Sequence, residues 1–171
     1  MNKKEYMSMS LPYGLMIGDE ELNEFPMLTG IDYQSDQCLA IHGDSGESDI
    51  DSVMPICFPL DYLTKEIQIK DYNNGKKFIP IVHLFNICYG EKLKKSECLV
   101  FFSDDMYQLK FSGILFGFDI LDFSFTCAAR GEVNVIPNML QLFQQLIKWH
   151  FAVGLNENEF IPVTEEFNPY K

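Results

Sequence analysis

The chain has 171 residues, of which 47% are hydrophobic and 22% charged, which is enough for a single compact domain over residues 1–171. An aromatic content of 14% excludes a disordered chain, and no apolar run approaches the roughly 20 residues of a membrane-spanning helix. No apolar signal core follows the N-terminal lysines, so we expect no cleaved secretion signal. Five cysteines without a CxxC pair indicate reduced thiols and a cytoplasmic protein.

The acidic side chains are concentrated in the first third of the sequence. Residues 5–64 contain twelve Asp and Glu and no Lys or Arg, whereas acids and bases balance elsewhere, so this segment accounts for the whole net charge of −12. Such a field repels nucleic acid and anionic membranes and attracts basic protein surfaces. We therefore expect a protein partner with a basic surface and no direct contact with nucleic acid or membrane. The alternative is that the acids only keep a Phe-rich protein soluble.

Alternating hydrophobicity predicts a β-hairpin near the N-terminus. Segments 27–33 and 37–42 alternate on either side of a short polar connection. Residues 43–52 combine turn formers with acids, which predicts a loop. Residues 53–60 are mostly apolar, but their two prolines argue against a central strand.

Two local signals mark the middle of the chain. Asn74-Gly75, between segments 67–72 and 76–79, predicts a type I′ hairpin. Pro80 and Gly90 bracket an apolar segment and predict a short helix over residues 80–89.

The second half of the chain predicts strands followed by a helix. Residues 97–136 are rich in β-branched and aromatic side chains and favour three or four antiparallel strands, with a bulge or turn at 119–122, where the apolar positions change parity. A polar stripe at helical spacing predicts a long helix from 138 to about 153 and then a C-terminal tail over 155–171. The expected fold is α+β, a mostly antiparallel β-sheet with a long C-terminal helix and a shorter middle helix packed on it.

The acidic segment 19–51 is the strongest candidate for a binding surface. Within it, four loop carboxylates are the expected partner-binding residues: Asp44, Glu47, Asp49 and Asp51. Carboxylates this close could gather around a hard cation, but their order differs from an EF-hand, and a solvated loop is the simpler interpretation. His42, at the end of a strand beside this loop, is the histidine best placed for an active site.

Other ionisable residues have simpler structural explanations. Asp119 and Asp122 flank the parity change, where a bulge would place both on one face in acid and base roles, although Asp is also a common turn residue. We expect His150 to be a buried, hydrogen-bonded core residue and His83 to lie at the surface. Arg130 is the only arginine and can anchor a carboxylate if exposed.

The sequence contains no established catalytic motif. It lacks a P-loop, a GxGxxG sequence, HExxH and zinc-ligand spacing. The run Gly43-Asp44-Ser45-Gly46 matches the nucleophile loop of trypsin-like proteases by coincidence, since only 44 residues precede Ser45. We therefore assign no catalytic residue, no metal ligand and no cofactor.

Five motifs occur in order along nearly the whole chain: SLPYGL at 10–15, PLDYLTKEI at 59–67, FIPI at 78–81, WHF at 149–151 followed by Gly154-Leu155, and NPYK at 168–171. Together they resemble a family of small uncharacterised proteins encoded by bacteriophages and prophages of gut bacteria. The match is weakest over 98–136. No activity is established for that family, so the resemblance implies only the cytosol of a host cell and an acidic protein that occupies a host factor.

Three functions are consistent with the sequence. The leading hypothesis is a non-enzymatic protein-binding module that uses its acidic N-terminal surface. The first alternative is a small hydrolase or metal-binding domain built on His42, the acidic loop or the Asp119/Asp122 pair, which requires a concave site. The second is a phage structural accessory subunit, which would form a homo-oligomer through an exposed apolar patch.

Overall fold

The computed structural model describes residues 1–18, 25–34, 37–44, 46–129, 132–134 and 139–171. The fold is α+β, with more strands than helices and mostly antiparallel pairing. None of the helices described is long and apolar enough to cross a membrane. The helices are α1 (Lys3–Ser10), α2 (Pro80–Tyr89) and α3 (Met139–Lys148), and the strands are β1 (Ile17–Gly18), β2 (Leu28–Tyr33), β3 (Cys38–His42), β4 (Gly46–Asp49), β5 (Met54–Cys57), β6 (Leu99–Ser103), β7 (Met106–Phe111), β8 (Ile114–Asp119), β9 (Phe125–Ala129), β10 (Glu132–Asn134) and β11 (Ile161–Pro162).

These elements belong to two compact units. Unit 1 comprises Met1–Pro59 and Leu146–Pro169, and unit 2 comprises Leu60–Gln145 and Tyr170–Lys171. The single domain expected from the chain length stays a prediction.

Unit 1 begins with a helix whose first turn is closed by its own side chains. The Asn2 side chain accepts a hydrogen bond from the Glu5 N–H (2.9 Å), and Glu5 Oε2 accepts one from the Asn2 N–H (3.0 Å). This capping box satisfies two of the N–H groups that a helix start leaves free. The helix ends before Pro12 and Gly14, and Gly14 adopts a φ of 72° that glycine tolerates at a helix end.

The predicted hairpin at 27–42 is confirmed as β2 and β3, which pair antiparallel. The predicted loop at 43–52 is wrong in part, because residues Gly46–Asp49 form strand β4 along the other edge of β3. The sequence GESD has little intrinsic strand preference. It becomes a strand because it satisfies the free N–H and C=O groups on the outer edge of β3.

A second sheet of unit 1 has the order β1-β5-β11, so β5 is its central strand. The expectation, based on the two prolines of residues 53–60, that no central strand forms there is therefore wrong. Pro55 lies opposite Ile17, but the donor to the neighbouring strand is the Ile56 N–H, which bonds the Met16 carbonyl at 2.9 Å. The proline consequently removes no hydrogen bond to β1.

The predicted long C-terminal helix is also wrong. Helix α3 ends at Lys148 and has ten residues, the same number as α2. The chain turns at His150, which has a φ of 60°. Phe151 then bridges Phe58 in parallel, with hydrogen bonds from the Phe58 N–H to the His150 carbonyl (2.8 Å) and from the Ala152 N–H to the Phe58 carbonyl (3.0 Å). This long-range pairing overrides an apolar pattern that by itself favours helix.

Unit 2 contains an antiparallel meander of five strands with the order β10-β9-β8-β7-β6. The sequence favoured three or four strands in this part of the chain. The expected turn near 119–122 is confirmed: β8 ends at Asp119 and β9 begins at Phe125. Phe116 pairs with Cys127 and Phe118 with Phe125. Even positions before the turn therefore share a face with odd positions after it, which explains the parity change.

Helix α2 has the predicted bounds, with Pro80 in its first turn and Gly90 at a φ of 67° after its end. It packs its aromatic side on the meander, where Phe85 meets Phe116 edge-on at a centroid distance of 5.8 Å. Phe116 is fully buried. The aromatic residues of the second half therefore build the core of unit 2.

The predicted type I′ turn is confirmed in its backbone conformation. Asn74 has φ 56° and ψ 36°, Gly75 has a φ of 68°, and the Lys76 N–H donates to the Asn73 carbonyl at 3.1 Å. The flanking segments meet only at one isolated bridge, between Ile67 and Phe78, rather than as two strands. Because α2 begins at residue 80, little chain remains for a second strand.

Candidate acidic interaction face

The register of β2, β3 and β4 aligns acidic and apolar residues on one side of their sheet. Asp32 pairs with Leu39, and Leu39 pairs with Asp49 on the other side. Two residues further along β3, Ile41 pairs with Glu47. Directly paired side chains, and side chains two apart on a strand, point the same way. These five residues form the acidic face: Asp32, Leu39, Ile41, Glu47 and Asp49.

The acidic face is open to solvent. Its three carboxylates are exposed, and Leu39 and Ile41 are half-buried. Ala40, whose side chain points to the other side of the sheet, is fully buried. The sheet therefore packs through one side and presents the acidic face on the other.

Strand geometry sets the distances between the carboxylates. Neighbouring strands lie about 4.8 Å apart, and residues two apart on one strand lie about 7 Å apart. The backbones of Asp32 and Asp49 are therefore separated by about 10 Å, with Leu39 between them, and Glu47 lies about 7 Å from Asp49. This is an extended array of charges around an apolar centre, whereas ligands of one Ca²⁺ all lie within about 2.6 Å of the ion.

The net charge of the protein belongs entirely to the unit that carries this face. Unit 1 contains 15 acidic and 3 basic residues, and unit 2 contains 10 of each, so the net charges are −12 and 0. The last part of the chain contributes to this difference, since residues 157–166 add four acids to unit 1. A basic surface is thus attracted to unit 1 specifically.

Two of the three bases of unit 1 already have acceptors near Asp51. Lys4 Nζ lies 3.3 Å from Asp51 Oδ2, and Lys3 Nζ donates to the backbone carbonyls of Asp51 (3.1 Å) and Val53 (3.0 Å). Asp51 is therefore an ion-pair partner of α1 and does not belong to the acidic face.

The structure divides the four predicted partner-binding carboxylates among three positions. Glu47 and Asp49 lie on the acidic face, and Asp44 is exposed in the turn between β3 and β4. Asp51 pairs with Lys4, and its N–H bonds Asp49 Oδ1 at 2.9 Å. In the part of the chain that the structure describes, no three His, Cys, Asp or Glu side chains are arranged to hold a metal ion.

Asp32 is the residue of the acidic face that sequence reasoning missed. The signal was present, because the predicted hairpin already places Asp32 on the strand next to Leu39. Choosing the register required knowledge of which side of the hairpin is buried, and Ala40 gives only a weak indication of that.

His42 does not join the acidic face. Its Nε2 lies 2.9 Å from Ser48 Oγ, and Ser48 pairs with Ala40 on the opposite side of the sheet. The imidazole covers Gly46, where an added Cβ would lie 2.5 Å from His42 Cε1. A Ser–His pair has the atoms of a nucleophile and its base, but among the described residues no carboxylate bonds the other ring nitrogen to orient it.

The other two histidines are packed into the units. Burial lowers the pKa of His150 to about 4, although a hydrogen bond with the Tyr13 backbone partly opposes the shift, and His150 is 3% exposed, as predicted. His83, which was expected at the surface, is half-buried: its Nδ1 lies 3.0 Å from the Tyr72 hydroxyl, and burial lowers its pKa. Both are predominantly neutral at pH 7.

Asp119 and Asp122 close the turn between β8 and β9. Asp119 Oδ1 accepts the Leu121 N–H at 2.8 Å, and Asp122 Oδ1 accepts the Ser124 N–H at 2.9 Å. Each carboxylate thus bonds the backbone two residues ahead, as Asp does in turns. Arg130 lies outside the described residues.

Burial disfavours the thiolate form of three cysteines. Burial raises the pKa of Cys57 to about 12, and burial also raises the pKa of Cys88 and Cys98. Because the thiolate is the reactive form, a raised pKa lowers the reactivity of these side chains near neutral pH.

Two surface grooves of unit 1 lie beside helix α1. One of about 610 Å³ beside α1 is lined mainly by Met1, Met9 and Tyr33, with Lys4 and Glu5. Another of about 420 Å³ has both lysines of α1 and two carboxylates. Neither is lined by a histidine or a cysteine.

No protein-family model, curated protein or solved structure matches this chain. The acidic face is therefore interpreted from its own geometry.

Proposed function

We propose that this protein is a non-enzymatic binding module whose acidic face binds a basic surface of another protein. The observation that supports the proposal is the pattern of the face, in which three exposed carboxylates surround Leu39 and Ile41. Protein interfaces combine an apolar centre with a polar rim. The carboxylates provide the rim and the two aliphatic side chains provide the centre.

Charge gives this surface its specificity. A net charge of −12 confined to unit 1 accelerates encounter with a basic partner and repels acidic proteins, nucleic acid and anionic membranes. The resemblance to phage and prophage proteins makes a basic host protein of the bacterial cytosol the partner we propose.

The test removes the charges of the acidic face without changing its shape. A variant with Asp32→Asn, Glu47→Gln and Asp49→Asn keeps an oxygen at position 49 for the Asp51 N–H. The matched control removes three other charges from unit 1 by Glu157→Gln, Glu165→Gln and Glu166→Gln, all exposed. Each immobilised variant and the wild type capture proteins from a lysate of a gut bacterium at 50, 150 and 500 mM salt, a series that shortens the Debye length from roughly 14 Å to about 4 Å.

The expected result is one or more basic proteins that the wild type and the control retain at low salt and the acidic-face variant does not. The affinity of each is then measured with purified components. Equal retention by the acidic-face and control variants, or retention that does not change with salt, would contradict the proposal.

A further inference from the structure

Strand β4 forms the outer edge of the sheet that carries the acidic face. It occupies one end of the order β2-β3-β4, and within the described residues its pairing is with β3 alone. An edge strand presents backbone N–H and C=O groups that can bond a strand from another chain. Two of the four residues of β4, Glu47 and Asp49, also belong to the acidic face.

The register shows which backbone groups of β4 point outward. The Ile50 N–H, directly after β4, donates to the Cys38 carbonyl at 2.9 Å. Because hydrogen-bonded and non-hydrogen-bonded pairs alternate along an antiparallel ladder, Asp49 and Glu47 both belong to non-hydrogen-bonded pairs with β3. Their N–H and C=O groups therefore point away from β3. The Ser52 N–H takes the Asp49 carbonyl at 3.0 Å. In the described part of the chain, this leaves the Glu47 N–H, the Glu47 C=O and the Asp49 N–H without a partner.

The residues with the outward backbone groups also carry carboxylates that lack a cation. Glu47 and Asp49 are exposed, and no base of the described residues forms an ion pair with either of them. Lys4 pairs with Asp51, and Lys3 donates to the Asp51 carbonyl, so both lysines of α1 are held at the segment after β4. The edge therefore combines three outward hydrogen-bonding groups with two uncompensated negative charges.

We propose that β4 binds an extended basic segment of another protein, which pairs antiparallel with β4 and adds a fourth strand to the sheet. Charge complementarity indicates this occupant, since Lys or Arg side chains opposite Glu47 and Asp49 supply the missing cations. A second copy of this chain is disfavoured at the same edge, because it would bring further carboxylates against these two. The inference rests on the proposed function and specifies the form in which the partner presents its basic residues.

Strand pairing determines where the basic residues of that segment must lie. Residues directly opposite each other point to the same side of a sheet, as do residues two apart on one strand. The two cations therefore occupy positions separated by a single residue. The residue opposite Glu47 exchanges two hydrogen bonds with it, and the residue opposite Asp49 accepts one from its N–H. A basic helix does not fit this edge, because helical residues two apart do not share a side and helical backbone groups bond one another.

Two synthetic peptides of identical composition test the spacing. TKTKTKT has its lysines at alternate positions, whereas KTTKTTK has the same charge but never places two lysines on either side of a single residue. Each is labelled with fluorescein and titrated with the whole chain at 50 and 150 mM salt, with fluorescence anisotropy as the measure of binding. We expect TKTKTKT to have a Kd roughly twofold to fivefold lower, because a second lysine reaches its carboxylate, and its affinity to fall as salt rises.

Backbone methylation of TKTKTKT separates strand pairing from attraction of charge alone. In the antiparallel arrangement the backbone N–H groups of the lysines face β4, and those of the threonines face solvent. Methylation of the three lysine backbone N–H groups should therefore raise Kd roughly fivefold, through loss of the bond to the Glu47 carbonyl. Methylation of three threonine backbone N–H groups is the matched control and should leave Kd unchanged.

Variants of Glu47 make the same separation in the protein. Glu47→Gln removes the charge and should raise the Kd of TKTKTKT about twofold to fivefold. Glu47→Pro also removes the outward N–H, which an edge strand tolerates, and should raise Kd roughly fivefold further. The control variant with Glu157→Gln, Glu165→Gln and Glu166→Gln should bind as the wild type does at 150 mM salt. Because the methylated peptides probe the wild-type protein, the test does not depend on the folding of Glu47→Pro.

The outcomes distinguish failure of this inference from failure of the proposed function. No binding of TKTKTKT, equal Kd values for the two peptides, or equal effects of the two methylations would each overturn the added strand. If the acidic-face variant nevertheless loses basic proteins from the lysate, the proposed function stands without it. If that variant and the wild type bind TKTKTKT equally, both are contradicted.

Discussion

Replacement of His150 by Asn should remove a large part of the pH dependence of unit 1 stability. His150 is 3% exposed, and burial lowers its pKa from 6.5 to about 4. The unfolded chain therefore binds more protons than the folded chain between these two values, so the free energy of unfolding falls as the pH falls through this range. Asn suits position 150 because it tolerates the φ of 60° found there.

The magnitude follows from the two pKa values. Integration of the proton linkage for values of 6.5 and about 4 gives a loss of about 2 kcal/mol from His150 between pH 7 and pH 5, and of about 3 kcal/mol by pH 4. The numerous carboxylates of unit 1 also titrate at the lower end of this range. They are common to both proteins and largely cancel in the difference between wild type and His150→Asn.

The assay is urea denaturation at half-unit pH steps from 7 to 4.5, with tryptophan fluorescence as the signal of unfolding. Trp149 is the only tryptophan, is fully buried and precedes His150, so its emission reports on the unit in question. The wild-type and variant curves should converge as the pH falls. Parallel curves across pH 7 to 5 would refute a neutral buried imidazole at position 150.

Three other predictions concern packing, the N-terminal cap and the thiols. Phe116→Ala should lower the free energy of unfolding, measured by urea denaturation, by about 3–5 kcal/mol, because Phe116 is fully buried. The control Leu121→Ala, at an exposed site, should change it by less than about 0.5 kcal/mol. Asn2→Ala should cost about 1 kcal/mol through loss of the capping box, and an Asn2→Asp variant with unchanged or higher melting temperature provides the control. Cys57 is fully buried and its pKa is raised to about 12, so it should react with a thiol reagent at pH 8 only in denaturant. Detection of modified Cys57 by peptide mass spectrometry after labelling of the folded protein would contradict this.

The features that the sequence predicted correctly depend on residues close together in the chain. Helix α2 begins at Pro80 and ends before Gly90 because both residues act on the adjacent backbone. The positive φ of Asn74 and the turn after Asp119 also depend on residues that are adjacent in the sequence. The hairpin of β2 and β3 was predictable for the same reason, since only four residues separate its strands.

The predictions that failed involve partners far away in the chain. Helix α3 stops at Lys148 because Phe151 bridges Phe58, more than 90 residues earlier in the sequence, and no local pattern contains that contact. Likewise β4 is a strand through its pairing with β3 and not through the propensity of GESD. In each case a long-range hydrogen-bonded pairing outweighed preferences of a few tenths of a kcal/mol per residue.

The candidate site combines both kinds of information. The sequence by itself determined the sign and amount of charge and its concentration before residue 65, because charge is a property of composition. Only the tertiary structure decided which carboxylates share a face: it placed Asp32 on the same side of the sheet as Glu47 and Asp49, paired Asp51 with Lys4, and assigned the acids of residues 157–166 to the same unit. The physical reason is that these neighbours depend on the register of the strands and on the path by which residues 146–169 join unit 1. Burial of apolar surface over the whole unit sets both, and the acidic residues themselves do not.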